Sequence, residues 1–158
     1  MKENESIKNA NVIALSSAEL IPIIKETLGS SLPFVLSVTG NSMRPTLRSS
    51  GDKVELLSKK KRAVKKGEII FFERENGTCV MHRVLKVEGD ILTVNGDAQP
   101  WTETLNVSQV VGVANRLCRK GKWVSCDSFF YKLYSGLVMH TLIVRKVYVE
   151  VRRKLTKK

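Results

Sequence analysis

From Pro33 onward the chain breaks into short β-prone runs punctuated by Gly, Asn and Asp, and this spacing constrains the fold more than any other feature. The runs are 34–39, 53–57, 68–73, 79–87, 91–95 and 110–114, each rich in Val, Ile, Leu or Phe. Between them lie Ser50-Gly51-Asp52, Lys66-Gly67-Glu68, Glu75-Asn76-Gly77, Glu88-Gly89-Asp90 and Asn95-Gly96-Asp97, all with turn chemistry. Asn76-Gly77 and Gly89-Asp90 fit tight hairpins, so 68–95 reads as a three-stranded meander. Six strands at this spacing predict a mainly β domain, a compact barrel or sandwich. With 158 residues there is room for one sizeable core, and 42% hydrophobic with 27% charged residues is a globular composition.

Two flanking segments differ in texture. Leu20, Ile21, Ile24 and Leu28 at helical spacing, behind a cap at Ser16 or Ser17 and before Gly29, predict a short amphipathic helix over 18–28. Beyond Trp123, the apolar residues Phe129, Phe130, Leu133, Tyr134, Leu137, Val138, Leu142 and Val144 precede a cluster of Arg and Lys. Residues 116–158 hold 12 basic and 2 acidic side chains, against 15 and 13 in residues 1–115. This basic apolar tail reads either as an interfacial helix on anionic lipid or as an element packed on the barrel, with Val147, Val149 and Val151 allowing a strand. The expected organisation is an N-terminal segment 1–33, a β domain 34–116 and a basic tail 117–158.

Lys59 to Lys66, six basic residues and no acid, reads as a solvated loop. Cys79, Cys118 and Cys126 are odd in number without close pairing, which argues against a disulfide framework or zinc ribbon and for a reducing compartment. The N-terminus lacks a basic region followed by an apolar run, and the charge-free stretch 133–144 is too short to span a bilayer. The sequence therefore predicts a cytoplasmic protein, peripheral on a membrane if the tail binds one, with no metal or cofactor.

The chemistry concentrates at Gly40-Asn41-Ser42-Met43-Arg44-Pro45-Thr46-Leu47. A serine in a non-repetitive loop directly after a strand, with a proline three residues on, is poorly explained by core packing. It is a candidate nucleophile, and serine needs a base within hydrogen-bond reach. The chain holds two histidines, His140 in the tail and His82 in the strand Val80-Met81-His82-Arg83-Val84. An imidazole titrating near neutrality suits the proton transfer, although a lone strand histidine is also a common core residue.

These segments resemble the type I signal peptidases and their soluble relatives, which share a protease fold with LexA-like repressors. The resemblance covers 34–114, about half the chain. Ser42-Met43-Arg44-Pro45-Thr46-Leu47 is similar to the nucleophile box, and Gly51-Asp52-Lys53-Val54 to the turn that follows it. Gly67-Glu68-Ile69-Ile70 resembles a Gly-Asp-Ile-Val strand with Glu68 in place of Asp. His82-Arg83-Val84 matches the branch found in the endoplasmic reticulum, in archaea and in some sporulating bacteria, while Asn95-Gly96-Asp97 and Val111-Gly112-Val113 resemble the closing boxes.

The resemblance implies a compact β-barrel-like protease fold with a short N-terminal helix and a basic C-terminal helix or strand. It implies a serine endopeptidase acting on leader or signal-like peptides, with Ser42 as nucleophile, His82 as base where most relatives have lysine, and Asp97 orienting the imidazole. Glu103 is the alternative acid. Gly40, Asn41, Met43 and Pro45 complete the nucleophile loop. Many relatives place a hydroxyl where this chain has Gly40, so more of the oxyanion stabilisation falls to the Ser42 backbone N–H, and Gly40 is expected to permit a tight backbone path. The missing N-terminal membrane helix resembles the anchorless bacterial members. The alternatives are a non-catalytic or partner-dependent LexA-like binding module, and a peripheral membrane or nucleic-acid binder acting through the tail. A true repressor is disfavoured because the first 33 residues hold one plausible helix rather than a DNA-reading pair, and nucleic acid is not the expected partner.

Overall fold

The computed structural model describes residues 17–49 and 51–141. Helix α1 (Ser17–Gly29) precedes strands β1 (Phe34–Ser37), β2 (Lys53–Leu57), β3 (Ile69–Glu73), β4 (Cys79–Glu88), β5 (Ile91–Asn95), β6 (Glu103–Asn106), β7 (Val110–Arg119) and β8 (Lys122–Ser125). A second helix, α2, is described over 129–141. The strands form one antiparallel sheet ordered β1-β2-β7-β3-β4-β5-β6, with β8 also paired to β7. The fold is mainly β as expected, a curled half-barrel with two helices.

β3 shows why the sheet curls around a double core. Ile69, Ile70, Phe71 and Phe72 are all buried, and alternate residues of a strand face opposite sides. Ile69 and Phe71 join Ile24 and Leu28 of α1 together with Met43 and Leu47. Ile70 and Phe72 join Val84, Leu92, Val94, Leu105, Val110 and Val113 on the other side. Register shifts interrupt the ladders between Glu55 and Leu56, Phe71 and Phe72, and Val84 and Lys86. Such bulges raise local twist, and these three, with the extra residues Val111 and Asn115 in β7 and Leu85 in β4, bend the sheet toward closure.

α1 buries Ile21, Ile24 and Leu28 at helical spacing, as its pattern predicts. It approaches the sheet at Gly112, where a Cβ would stand 3.0 Å from Leu28 Cδ1 and 3.2 Å from Leu56 Cβ. The predicted meander is present as β3-β4-β5, with turns at Gly77 (φ 77°) and Gly89 (φ 57°).

The sheet continues past residue 116, the expected end of the β domain. β7 runs to Arg119 and returns through Lys120 (φ 49°) and Gly121 (φ 77°) into β8. Two consecutive positive φ values make this the two-residue turn that matches strand twist. α2 then packs back with Tyr131, Ser135 and Val138 buried, so residues 129–141 are helical and docked. The alternative strand at Val147, Val149 and Val151 lies outside the described residues. The basic loop 59–66 is not simply solvated: Arg62 forks between Glu68 and Asp127, its side chain only 10% exposed. Among the described residues, no helix is long and apolar enough to cross a membrane. The three cysteines are free thiols, and burial pushes the Cys126 thiol up to about 12.

Candidate active site

Ser42 lies in the loop joining β1 to β2, and its neighbours in sequence fix that loop. Met43 and Leu47 are buried in the core on either side of the turn, and the Leu47 N–H donates to the Met43 carbonyl at 2.9 Å. Asp52 closes the loop: its carboxylate accepts from the Arg48 N–H at 2.9 Å and its carbonyl accepts from the Val38 N–H at 2.9 Å. Asn41 accepts from the Ser49 hydroxyl at 3.1 Å, and the Arg44–Pro45 peptide is cis. The turn after β5 presses on the Ser42 backbone, with the Ala98 N–H donating to the Ser42 carbonyl at 2.8 Å. Gly96 makes this possible, since a Cβ there would stand 2.7 Å from the same oxygen. Gly40 carries no such constraint. Its φ is not positive and no atom lies within 4 Å of where a Cβ would be, so the expected tight backbone path is absent.

Ser42 lines a cleft of about 140 Å³ with Leu36, Val38, Gly40, Phe71 and Met81. The volume is close to that of a cavity, roughly 150 Å³, which accepts a single benzene ring. One wall is the first part of β4. Cys79, Val80 and Met81 pair with β3 on one side, but the β4–β5 ladder begins only at Arg83, opposite Asn95. Their other backbone edge is unpaired by any described strand, an opening for an extended peptide.

His82 follows Met81 and is fully buried, its ring 5.8 Å from that of Phe72. Its Nδ1 lies 2.7 Å from Glu103 Oε1. The two groups are at ion-pair distance without the alignment of a hydrogen bond, and Nε2 has no hydrogen-bond partner. No hydrogen bond therefore joins His82 to Ser42. Burial lowers the imidazole pKa, the Glu103 charge opposes that shift, and the net direction is downward. Arg74 grips Glu103 through two bonds of 2.8 and 2.7 Å, and this grip holds the carboxyl below its ordinary range. Near neutrality the site thus pairs a neutral imidazole with an ionised carboxylate.

Asp97 is placed differently from the first expectation. Arg83 takes it in a two-pronged grip, Nε to Oδ1 at 2.8 Å and Nη2 to Oδ2 at 2.7 Å, and the Thr46 hydroxyl donates to Oδ2. The remaining Arg83 nitrogen, Nη1, donates to the Gly67 carbonyl at 2.9 Å and the Ser135 hydroxyl at 2.6 Å. Asp97 is thereby bound into a buried polar knot, and Glu103 rather than Asp97 stands at His82 Nδ1. Asp97 still contributes a minor charge effect on the imidazole.

Sequence reasoning missed Arg74, Arg83 and Thr46 as parts of this arrangement. Arg83 carried a usable signal, because an arginine in an otherwise apolar strand needs a carboxylate when buried. Arg74, in the β3–β4 turn region, carried none. No protein-family model matches the chain, and no curated protein matches it.

Proposed function

We propose that the protein is a serine endopeptidase of the Ser-His type, related in mechanism to the type I signal peptidases that its sequence boxes resemble. The carrying observation is the buried imidazole of His82, backed by Glu103 at Nδ1 and with its Nε2 unengaged. A core histidine kept for packing alone would satisfy both ring nitrogens, since an unmet buried polar atom costs about 1–3 kcal/mol. An unengaged, buried Nε2 on the residue before Arg83, whose cross-strand partner Asn95 leads into the turn that bonds the Ser42 carbonyl, is explained by a proton-transfer role. Catalytic hydrogen bonds tighten when substrate binds, so their absence in the free enzyme does not count against the pair.

In this reading an extended peptide adds along the open edge of Cys79–Met81 and places a small side chain in the apolar cleft. Ser42 Oγ attacks the scissile carbonyl carbon while His82 Nε2 takes the hydroxyl proton. The tetrahedral intermediate collapses, the C–N bond breaks, and His82 returns the proton to the leaving amine. Water, deprotonated by His82, then hydrolyses the acyl ester and regenerates Ser42. Glu103 is a positioning residue that holds the ring and stabilises its charged form. Leader or signal-like peptides, which carry small residues before the cleaved bond, are the proposed substrate class.

The experiment is mass spectrometry of a diverse peptide mixture incubated with the wild type or with Ser42→Ala. Cleavage by the wild type alone, after small residues, is the expected result. Peptide binding without cleavage by either protein would favour a LexA-like binding module and overturn the peptidase.

A further inference from the structure

α2 presents two unlike faces. At 3.6 residues per turn, Tyr131, Ser135 and Val138 lie on one side and are buried. Phe129, Phe130, Leu133 and Leu137 lie together on the other and are 74%, 81%, 55% and 61% exposed. The stripe does not stop at the helix. Phe130 also walls an apolar hollow of about 220 Å³ with Val124 and Tyr134, extending the surface onto β8.

We infer that this stripe docks on an anionic lipid surface. Large aromatic and leucine side chains arranged this way remain in water only at a cost that burial in an acyl boundary removes. Charge selects the occupant. α2 contains no acidic residue, and residues 142–158 carry seven basic side chains against Glu150 alone. An apolar stripe followed by a cationic segment complements an anionic interface, where each basic residue adds attraction. A second copy would bring two such cationic segments together, and nucleic acid would leave the stripe uncovered.

Docking would also fix the height of the nucleophile loop above the bilayer. From the inward side of α2, the Tyr134 hydroxyl lies 3.1 Å from Thr46 Oγ1, within the Ser42 loop box. Ser135 accepts from Arg83, which holds Asp97 and Gly67. The binding inference does not depend on Ser42 being a nucleophile.

The test is co-sedimentation of the full chain with phosphatidylcholine vesicles, with and without phosphatidylserine. The expected result is binding that requires phosphatidylserine, weakens with salt and falls at least about tenfold in Leu133→Asn/Leu137→Asn. Both leucines are more than half exposed, so the thermal transition should stay in place; Phe129→Ser/Phe130→Ser is the second variant if it does not. Absence of vesicle binding, or binding undiminished in both variants, would overturn the inference. So would a wild-type dimer in light scattering that the same variants convert to monomer, which would assign the stripe to a second copy.

Discussion

His82→Ala is expected to lower kcat on a cleaved peptide by about 10⁴- to 10⁶-fold, the loss seen when the base of a serine triad is removed. Glu103→Gln should lose less, about 10²- to 10⁴-fold, because the ring keeps its place in the strand but loses the carboxylate that favours its charged form. The pH profile separates positioning from mere structure. Activity follows the neutral imidazole, and burial depresses its pKa, so the acid limb of the wild type falls below the ordinary histidine value of about 6.5. Glu103 opposes that depression, hence Glu103→Gln should move the limb lower still while the melting temperature changes little. The same depressed pKa makes the stability contribution of neutral His82 complete above about pH 6.5 and progressively lost as pH falls below it. An unmoved limb in Glu103→Gln would show that the carboxylate does not act on the imidazole.

Asp97→Ala is expected to fail in a different way, through folding. The Arg83 guanidinium and the Asp97 carboxylate are both fully buried, and their pairing is what makes either charge tolerable inside the protein. Removing one partner strands the other at a cost of about 3–5 kcal/mol. In a chain of this size that is a drop of roughly 10 °C in melting temperature. Because Arg83 also holds Gly67 and Ser135, protection of α2 amides against hydrogen exchange should fall with it. Thermal unfolding of Asp97→Ala beside Glu103→Gln checks the division of labour. A stable, inactive Asp97→Ala with a normal Glu103→Gln would reverse the two roles.

The strands that bury apolar residues were legible in the sequence because hydrophobic runs and turn residues agree there. β2 and β5 fall at the predicted boundaries, and the β3-β4-β5 meander is announced by Asn76-Gly77 and Gly89-Asp90. β6 and β8 were not legible. β6 has a single apolar side chain, Leu105, and all four residues of β8 are exposed, so neither carries a burial signal. Without β6 nothing local placed Glu103, which stood only as the alternative acid that the resemblance implied. That residue reaches His82 because β6 pairs Glu103 with Val94 at the end of the sheet, a placement set by register rather than by any local motif. Asp97 was the more visible acid because it stands beside a glycine in a turn, and the feature that reassigns it, the buried Arg83, depends on long-range packing. The two faces of α2 were likewise merged in one apolar pattern, since periodicity reports that residues share a face but not which face meets protein.

The central claim is that Ser42 is a nucleophile activated by His82. It is tested most directly by treating the protein with a serine-reactive phosphonate on an extended peptide that has a small residue at the reactive end, then mapping the adduct by mass spectrometry. The account predicts one adduct, on Ser42, formed in the wild type and far more slowly in His82→Ala. An adduct on any other residue, or equal labelling of Ser42 with and without His82, would contradict it.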